Sequence, residues 1–319
     1  MSIEVLSPGP LTTVQDRGRT GWRHLGIGVA GALDDDAHQR ANLLVGNPRD
    51  AATLEITLAG PRLRFTRATR IAVCGADIEL RCDGAALSTA RPIALPAGAV
   101  LALGGCRRGT RAYLAVAGGI DVPPVLGSRS TDLRGGFGGL DGRPLRAGDV
   151  LAVGIADCPD VASPQVAPWW IDDAHDSPVD RSIRVLPGAD ATAPIDALFR
   201  AAWRLGVRSD RQGLRLEGAR IAASDTGERI SAPVAPGTVQ LPPDGQPIVL
   251  LADAQTHGGY PRIGHVIRAD LPRLARLRPG DAVQFAPCTP VEAHAALRAR
   301  RQTLARVALM IELQSRVPH

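Results

Sequence analysis

Lysine is absent from this chain of 319 residues, and all 37 of its basic residues are arginine. The absence excludes a phosphate-binding loop built on lysine, a Schiff-base lysine, and a lysine that carries biotin or lipoate. The formal net charge is only +5, and no basic run is interleaved with aromatic residues. We therefore interpret the arginines as a solvated surface with a few anion contacts, and expect no nucleic-acid partner.

Aromatic residues make up only 3% of the chain, so the core must be built from Ala, Val, Leu and Ile. Glycine (35) and proline (26) are frequent and scattered between short apolar runs, a pattern typical of many short strands joined by tight turns. No apolar run reaches the roughly 18 residues that a membrane span requires, so no membrane partner is expected. The composition predicts a mainly β protein.

Cysteine pairs are also missing. The five cysteines are widely spaced, form no Cys-x-x-Cys pair and are odd in number (Cys74, Cys82, Cys106, Cys158, Cys288). The residues that follow Met1 resemble neither the basic nor the apolar part of a secretory leader. These features predict reduced thiols and a cytoplasmic protein.

The length favours two domains, each large enough to bury its own core. A segment rich in proline and aspartate separates two stretches of strand-like runs, and Trp169-Trp170 is expected to anchor it on a domain surface. The predicted organisation is a first β-barrel domain, a linker, a second β-barrel domain and a C-terminal helix (1–154, 155–180, 181–288, 289–319).

Three helices are predicted from capping signals and periodicity. Asp34 is expected to cap a helix through Leu44 that Gly46 closes. A short helix is expected over Ile195–Trp203. The C-terminal helix begins with the capping box Thr289-Pro290-Val291-Glu292. The side expected to dock on the body or on a partner chain is apolar (Ala296, Leu297, Leu304, Val307, Ala308, Ile311).

Two local echoes predict an internal duplication. Leu145-Arg-Ala-Gly-Asp-Val resembles Leu277-Arg-Pro-Gly-Asp-Ala, and Leu58-Ala-Gly-Pro-Arg-Leu resembles Leu216-Glu-Gly-Ala-Arg-Ile. Because both pairs occur in the same order, they favour two similar β-barrels in tandem.

One stretch is unusually rich in polar groups. The apolar run Pro247–Leu251 is typical of a buried strand, and Asp253–Gly264 (D-A-Q-T-H-G-G-Y-P-R-I-G) follows it. Gly258-Gly259 allows left-handed backbone or the close approach of a ligand. We predict that this stretch forms one wall of a functional site.

Four motifs follow one another along the chain (Thr13–Gly21 with Gly31–Asp34 and Asn42–Asn47; Ala112–Gly119 with Gly127–Thr131; Ser209–Gly218; Ser231–Gln240 with Asp253–Gly264). Together they resemble the family of the 5-oxoprolinase C subunit, which includes the carboxyltransferase domain of urea amidolyase and the sporulation regulator KipA. The chain departs from the family pattern at His257, where a threonine is usual, and at Leu33 and Gln212, where methionine is common.

The resemblance implies two tandem cyclophilin-like β-barrel domains and a C-terminal helix. It also implies a partner, the KipI-like B subunit, and a third component, the A subunit, with which the chain uses ATP and Mg²⁺ to open 5-oxoproline to glutamate. The C subunit is expected to be inactive alone. Two alternatives stay open: a carboxyltransferase that uses carboxybiotin carried on another chain, since this chain holds no covalently attached biotin, and a KipA-like regulator that sequesters its partner.

For a lactam substrate, the family resemblance predicts a set of site residues. Asp253, Asp16 and Asp210 are candidate catalytic residues, since a carboxylate accepts from an amide N–H or acts as a base. Arginine and carboxamide side chains suit carboxylate and amide groups. The predicted substrate-binding residues are mostly of these types (Gln15, Arg17, Arg211, Arg215, Gln240, Gln255, His257, Tyr260, Arg262).

Structural roles for some of these residues stay open. Asp210-Arg211 and Asp16-Arg17 would equally serve as ion pairs that stabilise turns. His257 and Tyr260 would equally be ordinary loop residues. Glu55 lies on a strand and faces either a barrel interior or solvent. No histidine or acidic cluster has the spacing of metal ligands, so no metal site is predicted.

Overall fold

The computed structural model describes residues 2–172, 182–188, 190, 195–222 and 230–315. These residues form two compact units. Unit 1 covers the described parts of Met1–Arg19, Ala30–His175 and Thr303–His319, and unit 2 covers those of Thr20–Val29 and Asp176–Gln302. The chain is mainly β and ends in a long helix, so the predicted fold class is confirmed.

Unit 1 is built on one sheet, nearly closed into a barrel. Its strands among the described residues are β1 (Ser2–Ser7), β2 (Leu11–Gln15), β3 (Thr53–Thr57), β4 (Arg62–Phe65), β5 (Thr69–Cys82), β6 (Ala85–Leu87), β7 (Ile93–Leu95), β8 (Val100–Val116), β9 (Val150–Ala152) and β10 (Gln165–Val166). The hydrogen-bonded order is β10-β7-β5-β8-β4-β1-β9, with β2 joined through β3 to β8, and β6 joined to β5.

The long strands β5 and β8 give the sheet its curvature. They pair antiparallel with irregular register around Asp77 and Ile78. The first part of β8 pairs with β4 and its last part pairs with β3, so β8 has two different neighbours along its length. Asp83 and Gly84 both adopt left-handed backbone and connect β5 to β6, as their sequence predicted. Aliphatic side chains fill the interior, as the shortage of aromatics requires.

Helix α1 (Asp35–Leu44) begins and ends where its signals predicted. Asp34 accepts a hydrogen bond from the Ala37 amide at 3.1 Å, and Gly46 is left-handed with φ +80°. The buried side of α1 packs with residues of β5 and β8. The hydroxyl of the fully buried Tyr113 accepts a bond from the Asp34 amide at 2.8 Å, which fixes the start of α1 on the sheet.

Unit 2 contains an eight-stranded sheet and a separate pair of strands among its described residues. The strands are β11 (Ile183–Pro187), β12 (Trp203–Leu205), β13 (Gly213–Glu217), β14 (Ala232–Pro233), β15 (Thr238–Gln240), β16 (Ile248–Leu250), β17 (His257–Gly258), β18 (Arg262–Val266), β19 (Ala282–Val283) and β20 (Phe285–Pro287). The sheet order is β19-β12-β13-β16-β15-β18-β11-β20, and β14 pairs with β17.

Two short α-helices, α2 (Ile195–Arg200) and α3 (Leu271–Ala275), belong to unit 2. The prediction that α2 continues to Trp203 is wrong. Trp203 instead begins β12 and pairs with Val283, and its fully buried indole donates to the Leu198 carbonyl at 3.0 Å. Burying this large ring in the sheet outweighs the continuation of a short helix.

The C-terminal helix α4 (Pro290–Ser315) has the predicted capping box. Glu292 accepts from both the amide and the hydroxyl of Thr289 at 2.8 Å, and the Glu292 amide donates back to that hydroxyl at 3.3 Å. Leu304 and Ile311 are its buried residues, and Ile311 packs with the α1 side of unit 1. The predicted apolar side is therefore the docked side. No helix in the described part of the chain is long and apolar enough to cross a membrane.

The first repeated sequence pattern, at Leu145–Val150 and Leu277–Ala282, corresponds to one turn that occurs in both units. In unit 1 the Arg146 amide donates to the Asp149 carboxylate at 2.7 Å, and the Gly148 amide donates to the Val5 carbonyl at 2.8 Å. In unit 2 the Arg278 amide donates to Asp281 at 2.8 Å, and the Gly280 amide donates to the Leu205 carbonyl at 2.7 Å. Both glycines are left-handed, at φ +88° and +90°. The same local structure in the same role supports an internal duplication.

The segment predicted as a linker is described only up to Asp172. Its strand β10 pairs with β7, and the Arg91 guanidinium lies 5.2 Å from the centre of the Trp170 ring. Trp169 packs against the cluster that includes Ala37, Ala41 and Tyr113, as predicted, whereas Trp170 is 64% exposed. Residues 173–180 lie outside the described residues, and the domain boundaries at 154 and 180 stay predictions. All five cysteines are free thiols.

Gly31 gives a test of how tightly one loop of unit 1 is packed. Its φ is +91°, and a Cβ there would lie 2.7 Å from the Gly18 nitrogen. Gly21 has a nearly identical φ of +93° but nothing within 4 Å of its Cβ position. Alanine at either site incurs a left-handed penalty of about 1–2 kcal/mol. We expect Gly31→Ala to lose about 1–3 kcal/mol more than Gly21→Ala, because it also overpacks the loop.

Urea unfolding of the two variants and the wild-type chain measures this difference. Equal losses for the two variants would show that the loop at Gly18 yields to the extra methyl group, and that Gly31 is needed for its φ alone.

Candidate functional site

A buried ion pair fixes the start of the polar stretch that the sequence singled out. Arg211 and Asp253 form two parallel hydrogen bonds, Nε to Oδ2 at 2.8 Å and Nη2 to Oδ1 at 2.9 Å. Their side chains are only 4% and 2% exposed. The Asp253 amide also donates to the Arg211 carbonyl at 3.1 Å. Two predicted site residues are thus brought together, and they tie the loop before β13 to the loop after β16.

The Asp210 and Arg215 side chains take other positions. Asp210 is exposed and accepts from the amides of Gln212 and Gly213 at 2.8 and 3.1 Å, so it stabilises a turn. The proposed alternative of an Asp210–Arg211 ion pair is wrong, because Arg211 pairs with Asp253 instead. Arg215 lies on β13 with its side chain exposed.

Beyond Asp253 the loop runs into the short strand β17. His257 and Gly258 pair with Pro233 and Ala232 of β14. The Val234 amide donates to the Thr256 carbonyl at 2.9 Å, which extends this pairing. The exposed His257 ring lies 3.0 Å from its neighbour's hydroxyl, Nδ1 to Oγ1 of Thr256, and Tyr260 is 47% exposed. Both rings therefore stand at the surface of the loop.

Two arginines hold the opposite strand β14 in place. Arg262 donates through Nε to Asp190 at 3.0 Å and through Nη1 to the Pro233 carbonyl at 3.2 Å. The hydrogen bond to Asp190 raises the pKa of Arg262. Arg23 donates to the next carbonyl, that of Val234, and burial lowers its pKa. Arg23 was missed from the sequence, because it lies more than 200 residues from its partner, in a segment that only the fold brings into unit 2.

Gln240 and Gln255 approach one another at Gly258. A Cβ built on Gly258 would lie 2.5 Å from Gln240 Nε2 and 3.5 Å from Gln255 Nε2. Gln240 is 1% exposed, and its Nε2 has no hydrogen-bond partner among the described residues. Gln255 is half-buried. The structure thus brings two predicted binding residues together over a glycine that leaves them room.

In unit 1 Asp16 is the acceptor for a remote loop. It accepts from the hydroxyls of Ser128 and Ser130 at 2.6 Å each, from the Arg129 amide at 2.6 Å and from the Gly18 amide at 2.8 Å. Burial by itself raises the pKa of Asp16, but these hydrogen bonds outweigh it and the pKa is lowered. The loop Gly127–Thr131 is largely buried, because its serines supply these donors.

Gln15 and Arg17 flank this aspartate. The fully buried Gln15 amide donates to the Thr13 hydroxyl at 3.1 Å and accepts from the Gly31 amide at 3.1 Å. Arg17 is partly exposed and pairs with Asp35 at 3.2 Å. The alternative of an Asp16–Arg17 turn pair is therefore replaced by an Arg17–Asp35 pair at the start of α1, where negative charge suits the helix dipole.

A second buried polar cluster lies under α1. Glu55 is 1% exposed and accepts from the Tyr113 hydroxyl at 2.7 Å and the Leu33 amide at 3.0 Å, so it faces inward. Burial, followed by the charge of Glu55, raises the pKa of Tyr113 well above its ordinary value. His38 is fully buried with Nδ1 2.9 Å from the Thr53 hydroxyl, and burial lowers its pKa. The signal for His38 in the sequence is its i, i+4 spacing from Asn42 on α1, which was not used.

The predicted site residues are thus divided between the units. Gln15, Asp16 and Arg17 belong to unit 1, and the remaining nine belong to unit 2. Their assignment to catalysis or binding stays a prediction. Within the described ranges no three His, Cys, Asp or Glu side chains are grouped so as to hold a metal ion.

Comparisons with known proteins give one consistent result. The family model described as "Carboxyltransferase domain, subdomain A and B" matches residues 25–287. The chain is 43% identical to the 5-oxoprolinase C subunit of Escherichia coli (strain K12), over 94% of each chain. It is 37% identical to the 5-oxoprolinase C subunit of Haemophilus influenzae, over 89% of this chain and 90% of that protein.

A solved structure resembles nearly the whole chain. The crystal structure of urea amidolyase from K. lactis matches 96% of this chain with a TM-score of 0.83 and 30% sequence identity. This chain covers only 20% of that much longer enzyme, so the likeness concerns one part of it.

The buried ion pair leads to a stability prediction. Arg211→Ala leaves the Asp253 carboxylate buried without its two strong donors, and we expect a loss of about 3–5 kcal/mol in the free energy of unfolding. Arg215→Ala, which removes an exposed arginine four residues away, should change it by no more than about 0.5 kcal/mol. Chemical unfolding of both variants, together with Arg211→Met and Asp253→Leu combined, checks this.

The combined variant is the decisive control. Because it removes both charges, it should be more stable than Arg211→Ala alone. A combined variant that is less stable than either single variant would mean that the pair contributes packing rather than charge compensation.

The pKa of His38 leads to a pH prediction. Since the folded-state pKa is lowered, the unfolded chain takes up the proton first as the pH falls. The stability associated with neutral His38 is therefore present above about pH 6.5 and lost progressively below it. We expect the decline in stability between about pH 6.5 and 5 to be shallower in His38→Gln than in the wild-type chain. Unfolding curves at several pH values measure it, and identical slopes would contradict the assignment.

Proposed function

The chain belongs to the carboxyltransferase-domain family of subdomains A and B, and we propose that it is the C subunit of an ATP-dependent 5-oxoprolinase. The observation that carries the proposal is the 43% identity to the 5-oxoprolinase C subunit of Escherichia coli, which extends over 94% of both chains. A match of this extent leaves little of either protein outside it, so the same assembly role is the simplest inference.

The proposed reaction opens the lactam of 5-oxoproline to give glutamate. A lactam carbonyl is a poor electrophile. Transfer of a phosphoryl group from ATP to its oxygen creates a good leaving group, and water then completes the hydrolysis. A protein site for this chemistry must hold the lactam amide, bind the substrate carboxylate and stabilise charge on the transferring oxygens. ATP with Mg²⁺ is a co-substrate of the assembled enzyme in this proposal.

Partner subunits form the second part of the proposal. The designation of the bacterial relatives as one subunit of an enzyme supports a multi-subunit assembly. We propose a KipI-like B subunit for the direct partner and an A subunit for the third component. The chain alone is then inactive, because it supplies only part of the catalytic machinery.

The geometry favours positioning roles for the three aspartates predicted to be catalytic. Asp253 is held by Arg211, Asp16 by a loop of serines, and Asp210 by the amides of its own turn. Each carboxylate already accepts hydrogen bonds that fix a loop. Within unit 2, the groups best placed to meet a substrate are the buried amide of Gln240 and the half-buried amide of Gln255 beside it.

A second function is favoured by a specific observation. The TM-score of 0.83 to urea amidolyase supports a carboxyltransferase that moves a carboxyl group from carboxybiotin to a urea-like amide. Because this chain has no lysine, the biotin would have to be carried by another chain. This requirement, and the higher identity to the 5-oxoprolinase subunits, make it the weaker proposal.

Reconstitution tests the function. The chain is purified alone and with its A-like and B-like partners, and glutamate is measured after addition of 5-oxo-L-proline with or without ATP. We expect ATP-dependent glutamate only from the full assembly. The same preparations, given a carboxylated biotin carrier and urea, test the second function through loss of the carboxyl group from the carrier.

The outcomes separate the candidates. Carboxyl transfer without glutamate formation would favour the urea-type function. Stable binding of the B-like partner with neither activity would instead indicate a KipA-like regulator, and would overturn the proposal.

A further inference from the structure

Within the described ranges, the Gln240 side chain has no partner for a hydrogen bond that a buried amide normally makes. It is 1% exposed, and Nε2 has no partner among the described residues. A carboxamide offers two donors and an acceptor, and removing them from water without replacement is unfavourable. In native structures a buried donor without a partner calls for an explanation. One explanation is a bound ligand that accepts the hydrogen bond.

An irregularity in the backbone sets the direction of this side chain. Gln240 is the last residue of β15, and the register with β18 shifts between Val239 and Gln240. Val239 pairs with Gly264 and Gln240 pairs with Arg262, so one residue of β18 is skipped. Bulges of this kind re-aim a side chain and are common beside functional sites.

The Gln240 side chain points toward Gly258, and the carboxamide of Gln255 lies near the same residue. Both Gln240 Nε2 and Gln255 Nε2 lie within 3.5 Å of the point where a Cβ of residue 258 would stand. Gly258 does not have the left-handed φ that would require glycine. Glycine suits this position because it has no side chain. Any Cβ at residue 258 would collide with the Gln240 amide.

We propose that Gln240, supported by Gln255 over the bare surface of Gly258, binds the amide edge of a small cyclic or urea-like substrate. A carboxamide presents N–H and C=O side by side, which matches the O=C–N–H edge of a lactam in a two-point pair. The pairing holds for either orientation of the Gln240 amide, since the ligand edge also carries one donor and one acceptor. The choice of a lactam rests on the proposed function.

Charge favours an amide over a carboxylate as the occupant. A carboxylate accepts only, so it could pair with the Nε2 donors but would leave the carboxamide oxygen of Gln240 without a donor, whereas an amide edge pairs with both. Of two cations in this part of the fold, Arg262 donates to Asp190 and the Pro233 carbonyl, and Arg23 donates through Nη2 to the Val234 carbonyl, while Arg23 Nη1 has no partner among the described residues. The two glutamines therefore offer neutral, mixed donor and acceptor groups.

Ligand-observed NMR with four probes tests the proposal on the full chain, and again on the chain purified with its partner subunits. The probes are 5-oxo-L-proline, 2-pyrrolidinone, γ-butyrolactone and tetrahydrofuran-2-carboxylate, which separate the amide from the carboxylate. We expect 2-pyrrolidinone to bind more tightly than γ-butyrolactone, which lacks the N–H. Gln240→Met and Gly258→Ala should each weaken 2-pyrrolidinone binding by about tenfold, as expected for the loss of about two hydrogen bonds.

Gly105→Ala is the matched control, because Gly105 is exposed, is not left-handed and has nothing within 4 Å of its Cβ position. It should bind like the wild type. Gln255→Met provides a second variant if Gln240→Met does not fold, and circular dichroism establishes folding for each.

Three results would overturn the proposal. They are wild-type affinity in both Gln240→Met and Gly258→Ala, binding that follows the carboxylate rather than the amide, and no Gln240-dependent binding of any amide by chain or assembly. Glutamate release is a separate readout. Gln240-dependent binding of the lactam without glutamate formation leaves this inference standing while the proposed function fails.

Discussion

The Arg211–Asp253 ion pair is the interaction on which the unit 2 surface depends. It joins two loops that are about 40 residues apart in the chain, and it is nearly inaccessible to water. A buried pair of this kind contributes little net stability, since desolvation offsets most of the Coulomb attraction. Its value is geometric. Because both oxygens of Asp253 are taken by one planar guanidinium, the chain leaves the pair in a defined direction, and the residues from Gln255 to Tyr260 are presented from a fixed base.

Unit 1 also fixes a distant loop on a buried carboxylate, but with different hydrogen-bond donors. Asp16 holds a loop more than 100 residues away through serine hydroxyls and an amide, without a cation. In both units a buried carboxylate captures a distant loop, and in both an Arg-x-Gly-Asp turn closes on a strand in the same way. The recurrence of the turn, which occurs at sequence positions 146–149 and 278–281, fits two copies of one ancestral architecture whose polar loops have since diverged.

Local signals in the sequence predicted local structure well. The Asp34 cap, the Asp83-Gly84 hairpin and the Thr289–Glu292 capping box depend on residues within four positions of one another, and all three were correct. The motifs also identified the fold class. Partnerships across the chain could not be predicted in this way. Asp210 was the ion-pair alternative considered for Arg211, the Arg211–Asp253 pair was not anticipated, and Arg23 was missed, because each outcome depends on a strand arrangement that spacing does not encode.

The amide of Gln240, whose Nε2 has no partner in the described part of the chain, has a consequence for how this protein changes over evolutionary time. Selection for a more robust fold alone would replace that glutamine by an apolar residue, since a desolvated donor without a bound partner costs stability. Its retention would therefore mark chains in which the site is used. In collections of variants chosen only for heat resistance, an apolar residue at position 240 would raise stability while it removed the proposed ligand contact.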